Sequence, residues 1–251
     1  MRDVAPGEII AVDASGMRST QLPHASPLHR CVFEYVYFAR PDSRVFGGSV
    51  DRARRGLGRR LAKEHPAPGA ELVFAVPDSS NAAALGFADE SGLPLEMALI
   101  RNHYVGRTFI QPTQAGRDAK VKVKYNPVRE ILAGKSVVMV DDSIVRGTTT
   151  RGLVALIRAA GAREVHMRVA SPPIIGPCWY GIDTPDSKEL IAARMSVAEV
   201  AKHIGVDSLG YISLAGMLNA VPGGPTGFCD SCFTGNYPTP APTVTAKQRL
   251  G

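Results

Sequence analysis

Residues Val137 to Thr149 read VVMVDDSIVRGTT, and the order of this stretch decides the fold. Val137, Val138, Met139 and Val140 are apolar and mostly β-branched. That is the composition of a strand buried on both faces, as the interior of a parallel sheet requires. Asp141 and Asp142 close the strand. A short polar segment running from Ser143 through Arg146 to Gly147 leads into Thr148 and Thr149. An apolar stripe at helical spacing follows, Leu153, Leu156, Ile157 and Ala160, stopped by Gly161. A loop that opens into a helix N-terminus offers a phosphate its backbone N–H groups, two hydroxyls and the positive end of the helix dipole. Gly147 lets the backbone come close. The carboxylates stand at the edge where open α/β sheets bind ligands, and would face sugar hydroxyls or a magnesium ion. Phosphate at one end and acids at the other point to a sugar phosphate. A DD pair alone is ordinary turn chemistry after a strand; thirteen residues in this order are far more specific. The segment lacks the glycines of a Walker A loop, which argues against an ordinary nucleotide triphosphatase.

The rest of the chain frames this segment. Its 251 residues can bury a full core, and α/β folds of this length are often one domain. Apolar residues at 45% and charged residues at 21% are ordinary for a soluble globular protein. No apolar run approaches the roughly 20 residues of a membrane span. The start, MRDVAPGEII, has no signal-peptide core, so a cytoplasmic protein is expected. The net charge is +6, densest at Arg52 to Lys63 (RARRGLGRRLAK). No aromatic platform or nucleic-acid motif accompanies that patch. It reads as a solvated helix face with general attraction for a polyanionic substrate, rather than as a nucleic-acid surface.

Residues 1 to 13 read as one strand with its lead-in, Ser15 to Arg30 as a loop, and Val32 to Ala39 (VFEYVYFA) as a strand rich in β-branched and aromatic residues. A helix is expected from about Ser49 to Glu64, then a Pro/Gly break. Leu72 to Val76 is a second buried strand, running into Asp78, Ser79 and Ser80 and a small-residue helix from Ala82 to Gly86. Asp78 and Ser79 fit a plain N-cap as well as a ligand loop. Ser79 and Asp142 follow two separate strands, so a parallel sheet can bring them to one edge. From Arg101 to Arg129 the chain is polar, basic and weakly periodic, the mark of a disordered segment or a functional lid. Glu164 to Ala170 is another strand. Ser196 with Glu199 makes a capping box for a helix through Ile204, and Val206 to Leu214 adds an apolar segment. Strands alternating with helices over residues 70 to 215 predict an α/β fold with a parallel sheet. The Pro/Thr-rich tail, residues 236–251, reads as disordered.

Cys31, Cys178, Cys229 and Cys232 are the four cysteines. In a cytosolic chain a set containing CxxC is more often a metal or redox site than a pair of disulfides. Spacing alone leaves unliganded thiols, zinc and an iron–sulfur cluster all open.

Several of these segments resemble one family. DDSIVRGTT is similar to the phosphoribosyl pyrophosphate (PRPP) signature of type I phosphoribosyltransferases, in the wording of the amidophosphoribosyltransferases. RNHYVGRTFI, from Arg101 to Ile110, resembles their flexible catalytic loop, departing at Arg101 and His103, where Lys and Arg are commoner. His103 would make activity pH-dependent near neutrality. RDVAPGE and FEYVYFARPDS resemble the junction between the family's glutaminase and transferase domains. CVFEYVYFARPDS, SPPIIGPCWYGIDT and FCDSCFTGNYP resemble the places where its bacterial cluster-containing members hold a [4Fe–4S] cluster.

The resemblance implies a division into residues 1–30, the end of or linker from a glutaminase domain, and 31–235, a phosphoribosyltransferase domain of type I fold. It implies synthesis of 5-phosphoribosylamine from PRPP and ammonia, the first step of purine synthesis. Arg101, Tyr104, Arg107 and Ile110 would be catalytic-loop residues. Asp78, Ser80, Asp141, Asp142, Ser143, Arg146, Gly147, Thr148 and Thr149 would hold substrate. Ser79, Asp141 and Asp142 would hold Mg2+, and the four cysteines the cluster. Further expectations are a glutaminase domain or subunit that supplies ammonia, purine nucleotides as feedback inhibitors, and a homo-oligomer, with neither nucleic acid nor membrane as partner. This chain alone would not hydrolyse glutamine. A purine-base phosphoribosyltransferase would share the PRPP loop without YVGRTFIQP or the cysteine set. A non-catalytic PRPP-binding regulator would keep the loop and be free to lose the lid.

Overall fold

The computed structural model describes residues 3–23, 27–102, 124–184 and 186–240. At the N-terminus β1 (Glu8–Asp13) and β2 (Gly16–Gln21) pair antiparallel, so the expected loop after Ser15 is largely a strand. Gly16, at φ 115°, makes the tight reversal between them. Ile9, Val12 and Met17 on this hairpin are exposed.

β3 (Arg30–Cys31) leads into the segment expected to be a strand. It is instead a single π-helical turn, Glu34–Phe38. Val32, Phe33, Tyr35 and Val36 are all buried, which an alternating strand with one wet face would not allow. The carbonyls freed by the turn have a partner that lies far along the chain. The guanidinium of Arg54, 2% exposed, donates to the oxygens of Tyr35 at 2.9 Å and Ala39 at 2.7 Å. Propensity for β structure was overridden by a buried cation.

After the small ribbon β4 (Arg44–Val45) and β5 (Gly48–Ser49) comes α1 (Val50–Glu64). Ser49 caps it, its hydroxyl accepting from the amide of Arg52. The basic stretch lies on this helix with its charges divided. Arg54 turns inward, while Arg55, Arg59, Arg60 and Lys63 pair with Asp51, Asp89, Glu64 and Glu90.

Next come β6 (Leu72–Ala75), α2 (Asn81–Ser91), β7 (Leu99–Arg101), β8 (Tyr125–Pro127) and α3 (Arg129–Leu132). The chain continues through β9 (Ser136–Asp141), α4 (Thr148–Ala159), β10 (Glu164–Val169), α5 (Val197–Ile204), β11 (Ser208–Tyr211) and α6 (Leu214–Ala220). It closes with β12 (Phe228–Cys229) and α7 (Ser231–Thr234). The sheet has the order β11-β10-β9-β6, every neighbour parallel.

Its two faces are covered by different helices. Val73, Val138, Val140, Ala170 and Ile212 share a cluster with apolar residues of α1, α2 and α6. Leu72, Phe74, Val137, Met139, Val165 and Met167 share one with α4 and α5. Burial on both sides is why β9 is apolar without alternation. α1 and α2 are held unusually close. A Cβ on Gly58 would lie 1.9 Å from the carbonyl oxygen of Ala83, and one on Gly86 2.0 Å from that of Arg55. The expected capping box at Ser196 and Glu199 is present.

Candidate active site

Parallel strands deliver their following loops to one edge, and β6 and β9 are direct neighbours. Their pairing runs one residue beyond the strand, the amide of Val76 donating to the oxygen of Val140 at 2.9 Å. The turn from Pro77 to Ser80 is thereby set against the acid pair. The Ser80 hydroxyl donates to Oδ1 of Asp141 at 3.0 Å and lies 3.4 Å from Oδ2 of Asp142. Ser143 also bonds Asp142, its hydroxyl 2.7 Å from Oδ1, and the Ser79 hydroxyl is near enough to favour the charged form of that carboxyl. With β6 and β9 parallel neighbours, Ser79 and Asp142 stand at one sheet edge, as expected. Asp78 is exposed and receives Nη1 of Arg101 at 2.6 Å. Arg101 keeps a buried Nε with no hydrogen bond among the described residues.

Asp141 and Asp142 are both buried, at 9% and 6% exposure. Burial, with the charge of Asp142 added, pushes the Asp141 carboxyl well above the usual carboxylate range. Burial also raises Asp142, opposed by the hydroxyls of Ser79, Ser143 and Ser80 and by the Arg54 charge. Two crowded acids of this kind favour an added cation, which relieves both burial and repulsion. As they stand, no three His, Cys, Asp or Glu side chains among the described residues are arranged to hold a metal ion.

Beyond the acids, Gly147 takes φ 75° as the N-cap of α4. Glycine is needed there for its conformation; a Cβ would lie 2.7 Å from Cδ1 of Ile191, the end of a side chain that can move aside. The first-turn amides of α4 lack intrahelical acceptors, and Thr148 and Thr149 stand on that same turn. Arg146 is turned aside to Glu189, Nε to Oε2 at 2.8 Å. Tyr104, Arg107 and Ile110, with His103, lie outside the described residues.

A second cluster lies apart from the acids. β3 pairs with β12 so that Cys31 and Cys229 are direct cross-strand partners. Cys232 follows on α7, and its carbonyl accepts from Ile175 and Gly176, which anchors the segment carrying Cys178. All four cysteines line one cavity of about 700 Å3, and none forms a disulfide. Burial pushes the Cys31 thiol up to about 11, with Cys178 and Cys229 adding to the shift. Cys232 is raised by burial and by the other three thiols. Tyr237 packs on Trp179 and Tyr180 and donates to the oxygen of Pro177, so the first residues of the tail expected to be disordered lie against this site.

Sequence reading missed Arg54 and Tyr125. Nothing local marked Arg54 among its basic neighbours, since only the fold turns it inward. Tyr125 stands beside a weakly periodic stretch that carried no strand signal.

A parallel sheet that brings a serine turn against an acid pair, with a hydroxyl-bearing loop opening into the next helix, defines the type I phosphoribosyltransferase class. The solved glutamine PRPP amidotransferase from B. subtilis, complexed with ADP and GMP, matches this structure with a TM-score of 0.89 and 46% identity, over 100% of this chain and 56% of that one. The amidophosphoribosyltransferase of Synechococcus elongatus is 50% identical over 250 residues, covering 100% of this chain and 50% of that protein. That of Mycobacterium bovis is 51% identical over 251 residues, covering 98% and 47%. This chain belongs to the amidophosphoribosyltransferase family and spans about half the length of the curated relatives it matches. No family profile matches the chain.

Proposed function

We propose that this chain forms the phosphoribosyl-transfer site of a cytoplasmic amidophosphoribosyltransferase that makes 5-phosphoribosylamine from PRPP and ammonia. The observation that carries the proposal is the Ser80 hydroxyl on the Asp141 and Asp142 carboxylates, across two neighbouring parallel strands. Displacement at C1 of the ribose forms a C–N bond and breaks the C–O bond to pyrophosphate, which leaves with the bonding pair. The ammonia nitrogen then loses a proton to solvent. Positive charge builds on the ring, so the protein's work is to position the phosphates and neutralise the leaving group. Asp141 and Asp142 would hold the ribose hydroxyls. Gly147, Thr148 and Thr149 would hold the 5-phosphate. Ser79 and Arg101 would attend the pyrophosphate. Mg2+, held by Asp141, Asp142 and Ser79, would supply charge neutralisation on the leaving group. Family membership supports this reading over a purine-base transferase or a non-catalytic regulator.

The four thiols match a [4Fe–4S] cluster in donor type and number and line one cavity, where the β3–β12 pairing sets Cys31 beside Cys229. They would have to draw closer to hold it, since among the described residues no three are arranged around a metal ion as they stand. Such a cluster would tie the C-terminal segment to Cys31. A glutaminase domain or subunit would supply the ammonia, and the N-terminal hairpin, with its exposed apolar residues, fits a junction to it. Purine nucleotides are the feedback inhibitors proposed, in keeping with ADP and GMP bound to the B. subtilis relative, and a homo-oligomer is the proposed assembly.

The deciding experiment is pyrophosphate release from PRPP, with and without Mg2+, using ammonium, glutamine, adenine or guanine as acceptor. Release with ammonium and Mg2+ alone supports the proposal. Release only with a purine base overturns it, and release with glutamine by this polypeptide overturns the need for a separate ammonia source.

A further inference from the structure

Arg101 and Tyr125 are direct cross-strand partners at the end of the β7–β8 ribbon, and they reach successive residues of the opposing turn. From one side, Nη1 of Arg101 is 2.6 Å from Oδ2 of Asp78. From the other, the Tyr125 hydroxyl donates to the carbonyl oxygen of Pro77 at 3.4 Å. The Tyr125 ring is 6% exposed and belongs to the buried cluster that includes Val76, Ala98 and Leu99. The amide of Asn102 donates to the oxygen of Lys124 at 2.8 Å, which holds the ribbon closed beside this pair. Burial pushes the phenol up to about 12, with Asp141 the first charge adding to the shift, so the hydroxyl keeps its proton and donates at every physiological pH.

The turn so gripped is the one that presents Ser79 and Ser80 to the acids; its far end is held by Ser80, whose hydroxyl bonds the acids and whose carbonyl accepts from the amide of Ala84 at 2.9 Å, while its near half, Pro77 and Asp78, is held less. Asp78 is exposed, and the one bond closing the turn, from the amide of Asn81 to the oxygen of Asp78, is long at 3.4 Å. An apolar side chain at position 125 would fill the core equally well. The hydroxyl adds only the reach to Pro77.

We propose that Tyr125 is a positioning residue which, with Arg101, holds the turn at two adjacent points, the Pro77 carbonyl and the Asp78 carboxylate, and so sets Ser79 and Ser80 for the leaving pyrophosphate. This rests on the function proposed above in naming the ligand; the clamp itself stands on geometry alone.

The test is Tyr125→Phe, which removes one oxygen and leaves the ring. Hydrogen exchange on the ligand-free protein should quicken by about two- to tenfold at Asp78 to Asn81, the range for one lost hydrogen bond, with β9 unchanged. KM for PRPP should rise by a similar factor of about two to ten, with kcat within about twofold and the melting temperature unmoved. Tyr125→Leu, lacking the ring, should match the Phe variant in exchange at the turn but melt lower. Wild-type exchange at the turn in Tyr125→Phe overturns the clamp. So does a uniform speeding across β9, or a defect confined to Tyr125→Leu. A wild-type protein that consumes no PRPP overturns the functional reading, while the exchange measurement still decides the clamp.

Discussion

The hydroxyl of Ser80 donates to Oδ1 of Asp141 across 3.0 Å, joining two loops that lie 61 positions apart in the chain. This bond sets a serine turn against two carboxylates that burial and mutual repulsion make costly to ionise. The site is thus built against its own stability, and a bound cation and sugar would offset the cost.

Replacing Asp141 by Asn should separate stability from binding. The folded carboxyl titrates above its ordinary value of 3.8. The native state therefore holds more protons than the unfolded chain, and wild-type stability falls as pH rises from about 4 through the folded value. Asp141→Asn should lose that slope and melt higher at pH 7, by about 2–4 °C per kcal/mol relieved, while calorimetric uptake of Mg2+ and PRPP disappears. A variant that melts lower and still binds contradicts the account.

The crossing of α1 on α2 leaves no room for a methyl group. Gly58→Ala or Gly86→Ala puts a carbon within about 2 Å of backbone carbonyl oxygen, where no side chain can move aside. Each should cost about 3 kcal/mol in urea unfolding, although alanine is the better helix former.

Among the described residues, Arg54 is the one side chain donating to the carbonyls of Tyr35 and Ala39. Arg54→Met would leave them buried and unpaired, at about 2–4 kcal/mol. Arg54→Lys should recover less than half, because one ammonium cannot reproduce the fork. Denaturant midpoints of the three proteins measure both effects.

His166 bridges three strands at the other end of the sheet, Nε2 to Ser136 at 3.1 Å and Nδ1 to Ser208 at 2.9 Å. Burial lowers its pKa, helped by Arg168 and Arg158 and opposed by Glu164 and Asp207. The unfolded chain then takes up a proton near pH 6.5 before the native state does, so stability should fall as pH drops from about 7 toward 5.5. His166→Gln should flatten thermal midpoints over that window. An unchanged slope would assign the pH dependence elsewhere.

Anaerobically purified protein should carry iron and labile sulfide, and lose both with a fall in melting temperature when Cys232 is replaced by Ser. Colourless protein without iron would leave the four thiols as unliganded neighbours.

What the sequence determined by itself was the chemistry carried by adjacent residues. The unbroken apolar run of β9, the acids closing it, the Gly147 turn into α4 and the Ser196–Glu199 cap all rest on backbone sterics and contacts within a few positions, so they could be read directly. The tertiary structure decided what depends on distant groups. VFEYVYFA has strand composition, yet becomes a π turn because a guanidinium from α1 takes its carbonyls and the core takes its side chains. Tyr125 gains a role only because Arg101 is its cross-strand neighbour and Pro77 lies opposite. Burial and hydrogen bonding between remote segments outweigh local preference by a few kcal/mol, and no local pattern records which remote group will arrive.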